Sequence, residues 1–207
     1  MKKNKLTHTG NNDLIDNAFY PFLNKIAEYI PASITPNQLS VVGFIFALLN
    51  AVTLITVKNN ISLFIASFCL FIYWAFDCLD GIHARRTHQT SILGDFTDHF
   101  LDTLSTGLIL FAILFHFNLM TPLYLASAIL IMTQQTATFL CRCYTQTLYL
   151  APFGPSCLLF LTIFIYIITF FWGPKILEIA MLSNLLTAPL SLLSLFKQTR
   201  DIILAKN

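Results

Sequence analysis

Residues 62–117 read SLFIASFCLFIYWAFDCLDGIHARRTHQTSILGDFTDHFLDTLSTGLILFAILFHF. Two apolar runs flank a short polar stretch, and five acids (Asp77, Asp80, Asp95, Asp98 and Asp102) stand at the ends of the runs that face it. Each run exceeds the roughly 18 residues that mark a spanning helix, since about 20 residues at 1.5 Å each cross a ~30 Å hydrocarbon core. The pattern predicts membrane helices over 62–86 and 91–117, made antiparallel neighbours by the short turn after Arg86. Asp77 and Asp80 are three positions apart and Asp98 and Asp102 four, so each pair projects from one face of its helix. Asp95 adds to the second helix.

The rest of the chain extends this reading. Its 207 residues are 56% hydrophobic and 11% charged, with Phe 20 against Gly 7 and a mean hydropathy of +0.70, values that exclude an ordinary soluble bundle. Further apolar segments run over 36–57, 121–143, 154–173 and 176–197. Thr35 followed by Pro36 supplies a cap residue and a proline at the first helical position. Asn59 and Asn60, Thr121 and Pro122, Gly154 and Pro155, and Gly173 and Pro174 punctuate the other turns. Residues 12–30 place Leu14, Ala18, Phe19, Phe22, Leu23, Ile26 and Ile30 at helical spacing. That segment is too polar to span, which predicts an interfacial helix.

The expected fold is an all-α integral membrane protein: a six-transmembrane-helix bundle preceded by an N-terminal interfacial amphipathic helix. Residues 1–34 form a cytoplasmic N-terminus carrying that helix, 35–200 the six-helix domain, and 201–207 a cytoplasmic tail. Ten of the twelve Lys and Arg (Lys2, Lys3, Lys5, Lys25, Arg85, Arg86, Arg142, Lys197, Arg200 and Lys206) collect on one side of six crossings, and Lys58 and Lys175 on the other. The positive-inside rule then predicts a multi-pass protein with both termini and the acidic cluster cytoplasmic, and the small size suits a bacterial inner membrane. The charged N-terminus is followed by no apolar core of a signal peptide. A net charge of +2 without a basic-aromatic patch argues against nucleic acid, leaving membrane lipids as the surroundings. The cysteines (Cys69, Cys78, Cys141, Cys143, Cys157) lack paired loop spacing, so neither disulfides nor zinc are indicated.

Ten acids occur in the chain, and five of them fall between positions 77 and 102. Ionisable groups at membrane depth cost roughly 2.5–3.5 kcal/mol each, so they face a polar cavity and mark function. Four or five converging carboxylates repel one another unless a cation relieves them. Hard oxygen ligands without cysteine or paired histidine select Mg²⁺ or Mn²⁺, and such ions are the usual clamps for pyrophosphate. Gly81, Ala84 and Gly94 leave room beside the acids, and Arg85 suits a phosphate.

The run Asp77-Cys-Leu-Asp80-Gly81-Ile-His-Ala84-Arg85, eight residues, then Gly94-Asp-Phe-Thr-Asp98-His-Phe-Leu-Asp102 resembles the signature D-x2-D-G-x2-A-R-x8-G-x3-D-x3-D of the CDP-alcohol phosphotransferases at all eight fixed positions. Thr35-Pro36-Asn37 and the six-helix layout look like that family too. The resemblance implies a phospholipid-synthesising enzyme that transfers a substituted phosphate from a CDP-linked donor to a lipid or small-alcohol acceptor, releasing CMP, and that works as a homodimer. It implies that Asp77, Asp80 and Asp98 bind a pair of Mg²⁺ or Mn²⁺ ions, that Asp102 binds metal or acts as the base, and that Gly81 and Ala84 lie against the cytidine with Arg85 and Gly94 nearby. His99, one turn before Asp102, either shares the base role or orients a metal-bound aspartate. Asp95 stands where the pattern is free and reads as a supporting residue. His83 and His88 read as solvated loop residues and His116 as interfacial.

Two stretches lean toward the choline/ethanolamine phosphotransferase branch, which joins a CDP-aminoalcohol to diacylglycerol. One is ARRTHQTSILGDFTDHFLD (84–102) and the other YTQTLYLAPFGPS (144–156). Cys157 stands where that branch has a glutamate, so Tyr144, Tyr149 or Trp74 would have to supply cation-π contacts to a quaternary amine. The alternative is a CDP-diacylglycerol-dependent phosphatidyltransferase acting on serine, inositol or glycerol phosphate. Outside the motif, Arg142 suits a phosphate or a helix anchor, and Glu178 the far membrane face. An ion pathway would need acids on the opposite half of the bundle, and an inactive scaffold would not keep all eight motif positions.

Overall fold

The computed structural model describes residues 14–145, 155–173 and 175–206. They form seven helices: α1 (Leu14–Tyr29), α2 (Pro36–Thr56), α3 (Ile61–Arg86), α4 (Ile92–His116), α5 (Pro122–Thr145), α6 (Pro155–Trp172) and α7 (Lys175–Lys206). No strand occurs among the described residues. Lys2, Lys3, Lys5 and Tyr149 lie outside them.

Local chemistry sets the helix ends. Thr35 caps α2 with a reciprocal box: its Oγ1 accepts from the Gln38 N–H at 3.4 Å while Gln38 Oε1 accepts from the Thr35 N–H at 2.8 Å, with Pro36 at the first helical position. Ser91 caps α4, its Oγ accepting from the Gly94 N–H at 2.9 Å. α3 closes with His88 in the left-handed region at φ 59° and the Gln89 N–H donating to the Ala84 carbonyl at 2.9 Å, the six-to-one bond of a Schellman end. Asn118 (φ 55°) does the same after α4, with the Leu119 N–H reaching the Leu114 carbonyl at 2.8 Å. The α3 turn, five residues long, reverses the chain and returns α4 toward the end of α3.

Among the described residues four helices are long and apolar enough to cross a membrane: Pro36–Thr56, Ile61–Arg86, Ile92–His116 and Pro122–Cys141. α6 is apolar over the shorter Ser156–Trp172. α7 continues past the expected end at 197 to Lys206, with Pro189 inside it. The chain is thus an all-helical integral membrane protein. Large apolar side chains face outward along these helices, among them Phe68, Ile129 and Phe164, as lipid contact requires.

α2 is the spine of the site. It packs along both α3 and α4, whereas α3 and α4 make few close backbone contacts with each other. The antiparallel pair expected from the short turn is therefore splayed, its two arms joined by α2. Gly43 allows this approach: a Cβ there would lie 3.3 Å from Phe76 Cβ and 3.5 Å from the Tyr73 carbonyl oxygen. α5 packs on α4 and α7, and α6 on α3.

α1 braces the outer side of α3. Its Leu23 and Ala27 are buried with Trp74, Leu79 and Ile82, while Leu14, Tyr20, Phe22 and Tyr29 remain exposed. Asp16 Oδ1 accepts from Trp74 Nε1 at 3.3 Å and from the Cys78 thiol at 3.5 Å. Arg86 donates to the Ala27 and Glu28 carbonyls at 2.8 and 3.3 Å, closing the C-terminal end of α1 with a cation. Cys69, Cys78, Cys141 and Cys157 are free thiols.

Gly43→Leu should force α2 off α3. Overpacking of this kind costs on the order of 1–3 kcal/mol, read as a lower unfolding midpoint in detergent. Ile45→Leu, on the exposed face of the same helix, should leave the midpoint where it is.

Candidate active site

Towards the end of α3 and the start of α4 a small cleft of about 10 Å³ is lined by Ser40, Gly43, Tyr73, Asp77, Asp98, Leu101 and Asp102. Three helices therefore contribute: α2 the small residues, α3 and α4 the acids. The Asp77 carboxyl is within hydrogen-bonding reach of Asp102 and within electrostatic reach of Asp98 and Asp80. Asp80 is buried, at 4% exposure, is held by the Ser40 hydroxyl, and interacts electrostatically with Asp98 and Asp102. The two faces marked by the spacing of the acids do converge, and all four motif carboxylates act on one another.

His99 is the fifth member. Its Nδ1 lies 3.9 Å from Asp98 Oδ2 and 3.9 Å from Asp102 Oδ2, and its Nε2 lies 3.8 Å from Asp95 Oδ1. The ring rests against Phe139 of α5, with centroids 4.9 Å apart. Asp95 thus touches the histidine, on the side away from Asp98 and Asp102. Asp98, His99 and Asp102 can each offer one ligand atom, all within 4.8 Å of one another. With Asp77 beside them, the donor set is mostly carboxylate oxygen with one imidazole, which fits a hard divalent cation such as Mg²⁺ or Mn²⁺ better than a soft one.

The small residues of the motif stand close to other side chains. The Arg85 guanidinium lies over Gly81, where an added Cβ would meet Nη1 at 3.2 Å. Gly94 sits in the first turn of α4, where a Cβ would come within 3.0 Å of Ser91 Oγ and 3.3 Å of Asn37 Oδ1. Gly81, Arg85 and Gly94 are thus distributed around the two helix ends that carry the acids. Ala84 is half-buried one turn beyond Asp80.

Two expectations need correction. His83 is fully buried, its Nε2 lying 2.9 Å from the Ile34 carbonyl oxygen, so it ties the segment before α2 to α3 and is not a solvated loop residue. Trp74 faces away from the cleft. It is 2% exposed, packs edge-on against Phe19 and Phe160 and donates to Asp16, which removes it as a cation-π partner for substrate. His116, read as interfacial, ends α4 with its Nδ1 2.7 Å from the Leu54 carbonyl oxygen. Tyr73 and Ser40 were missed altogether. Tyr73 OH donates to Asp102 Oδ1 at 2.9 Å.

A family model described as CDP-alcohol phosphatidyltransferase matches residues 33–193. Choline/ethanolaminephosphotransferase 1 of Saccharomyces cerevisiae is 30% identical over 149 residues, which is 65% of this chain and 37% of that protein. The chain thus spans little more than a third of that relative's length. Among solved structures, the phosphatidylinositol phosphate synthase of Mycobacterium tuberculosis with CDP-DAG bound superposes with a TM-score of 0.65 at 16% identity, over 86% of this chain and 94% of that one. The same synthase in complex with manganese and citrate gives a TM-score of 0.61 at 15% identity, over 91% of this chain and 88% of that one. Both likenesses concern the fold.

If the acids form one cation site, Mn²⁺ titrated into the purified protein should lose its free-ion electron paramagnetic resonance signal, and Asp98→Asn should weaken that binding by about 10-fold or more. Equal binding by parent and variant would take Asp98 out of the site.

Proposed function

Because the chain belongs to the CDP-alcohol phosphatidyltransferase family, we propose that it transfers a substituted phosphate from a CDP-linked donor to an alcohol, releasing CMP, and so builds a phospholipid. The observation that carries this reading is the gathering of four carboxylates: Asp77, Asp98 and Asp102 line one cleft, and the buried Asp80 interacts with Asp98 and Asp102. On this reading Asp77, Asp80 and Asp98, with one oxygen of Asp102, hold two ions of Mg²⁺ or Mn²⁺. Bound there, the cations would screen the pyrophosphate oxygens and stabilise the departing CMP. Gly81, Ala84 and Gly94 leave space for the nucleotide, and Arg85 swings off Gly81 to meet its phosphates. The proton of the acceptor hydroxyl passes to the Asp102–His99 pair.

The donor is a CDP-aminoalcohol and the acceptor diacylglycerol. The support is the sequence likeness to a yeast choline/ethanolaminephosphotransferase together with the 84–102 stretch. Cys157, half-buried at the start of α6, replaces the glutamate of that branch, and with Trp74 turned away the headgroup contacts fall to the Tyr144–Tyr149 segment. A second reading, a CDP-diacylglycerol donor with a small polar alcohol acceptor, is favoured by the overall fold likeness to a synthase solved with CDP-DAG. In either case six helices, α2 to α7, form one domain over 35–200 and cross the membrane, with both termini and the cleft cytoplasmic. The exposed face of α1 lies on the bilayer surface, and two copies form the working unit, in keeping with a bacterial inner membrane enzyme.

CMP release in nanodiscs tests this. With Mg²⁺ or Mn²⁺, CDP-choline or CDP-ethanolamine plus diacylglycerol should yield CMP, whereas release confined to CDP-diacylglycerol with serine, inositol or glycerol phosphate would establish the second reading. Asp102→Asn should lower turnover by roughly 10²- to 10⁴-fold, the range of general base catalysis, while the donor still binds. His99→Asn falling as far would give the proton to the histidine, and a loss under about tenfold would leave it an orienting role.

Gly81→Leu should fold, since the group it displaces is the free end of Arg85. It should raise the KM for the CDP donor several-fold, and an unchanged KM would remove Gly81 from the nucleotide site.

A further inference from the structure

Two hydroxyls in the cleft lie outside the eight-position motif, and each bridges two helices. Tyr73 of α3 donates to Asp102 of α4 at 2.9 Å, and Ser40 of α2 donates to Asp80 of α3. Both are 8% exposed, and both line the same cleft as Asp77, Asp98 and Asp102. We propose that Tyr73 and Ser40 are positioning residues which each claim one oxygen of a motif carboxylate and so fix the direction of the other. The inference rests on the reading of the carboxylates as a cation site.

The geometry assigns the oxygens individually. Tyr73 takes Asp102 Oδ1, and Asp102 Oδ2 is the oxygen that lies 3.9 Å from His99 Nδ1, on the side where Asp98 Oδ2 also lies 3.9 Å from that nitrogen. Ser40, whose hydroxyl also lies 3.3 Å from the Pro36 carbonyl oxygen, takes Asp80 Oδ2, so Oδ1 is the oxygen that hydroxyl does not engage. The terminal torsion of an aspartate is broad and roughly two-fold, so an unheld carboxylate would sample both faces among like-charged neighbours. A neutral hydroxyl donor removes that freedom while leaving the carboxylate its negative charge, as outer partners of metal ligands do elsewhere. The bonds also link the site in series, α2 to α3 through Ser40 and α3 to α4 through Tyr73. Because α3 and α4 are splayed and share few backbone contacts, the Tyr73 bond is one of the direct ties between the arms that carry the acids.

The test uses the full chain in nanodiscs, with Mn²⁺ alone as the probe. Tyr73→Phe and Ser40→Ala should each weaken Mn²⁺ binding, read from the free-ion resonance signal, by about 10-fold or more. Each should lower kcat with the KM of whichever CDP donor is turned over within about twofold, and Ser40→Thr, which keeps the hydroxyl, should restore Mn²⁺ binding. Parental Mn²⁺ affinity in both Tyr73→Phe and Ser40→Ala would overturn the inference and leave the two as packing residues. A raised KM with unchanged Mn²⁺ affinity would also overturn it, by making the hydroxyls substrate contacts. Asp98→Asn separates this from the reading beneath it: if that variant too binds Mn²⁺ as the parent does, the cation site itself is misassigned. Should Tyr73→Phe fail to fold, Ser40→Ala against Ser40→Thr carries the decision.

Discussion

Four carboxylates held together at the end of a membrane helix pair are the constraint around which the molecule is arranged. Each costs a few kcal/mol to place at membrane depth, and their mutual repulsion rises as they approach. Asp77, Asp80, Asp98 and Asp102 nevertheless interact with one another. The chain keeps them there by fixing backbone on three sides. α2 packs on both acid-bearing helices, His88 in a left-handed conformation turns α3 back toward α4, and Ser91 starts α4 with a side-chain cap. An arrangement that concentrates like charge in this way is stable when a cation completes it, which is why the geometry and the proposed chemistry point the same way.

The surrounding elements serve the same end. α1 contributes no cleft-lining group, yet Asp16 grips Trp74 and Cys78 on the reverse side of α3, one residue from Asp77. Arg86 and Gln89 reach back to the carbonyls of Ala27, Glu28 and Ala32, and His83 lies against the Ile34 carbonyl. The rotation of α3 about its own axis, which decides where Asp77 and Asp80 point, is thereby set from outside the site. On the other flank Phe139 of α5 seats the His99 ring, and Gly107 of α4 accepts the Met132 side chain at close range.

The helices and the acids could be read from sequence because their signals are strong. Thr35-Pro36 fixed the start of α2, and the expected segment ends at 86, 117 and 143 fall within two residues of the observed ones. Helix rotation was harder to read. In 62–74 the inward face carries the small or weakly polar Ser62, Ala66, Ser67, Cys69 and Tyr73 and the outward face Phe64, Ile65, Phe68 and Phe71, a stripe of size more than of charge that hydropathy alone does not register. That is why Trp74 could be placed in the substrate site when it faces α1, and why Ser40, Gly43 and Tyr73 escaped notice. His83 was misjudged because charge nearby in sequence suggested solvent, while inside α3 it is buried against the Ile34 carbonyl oxygen. The close approach of α2 to α3 depends on Gly43, a single small residue in an apolar run, whose meaning emerges only once its neighbours are known.

The central claim is that the acids of α3 and α4 form one cation site, and locating the ion tests it most directly. Anomalous scattering from crystals of the protein grown or soaked with Mn²⁺ should show density between Asp77, Asp80, Asp98 and Asp102, at coordination distance from oxygens of both helices. Density bound elsewhere, or none at saturating Mn²⁺ in crystals whose cleft is open to solvent, would contradict the account.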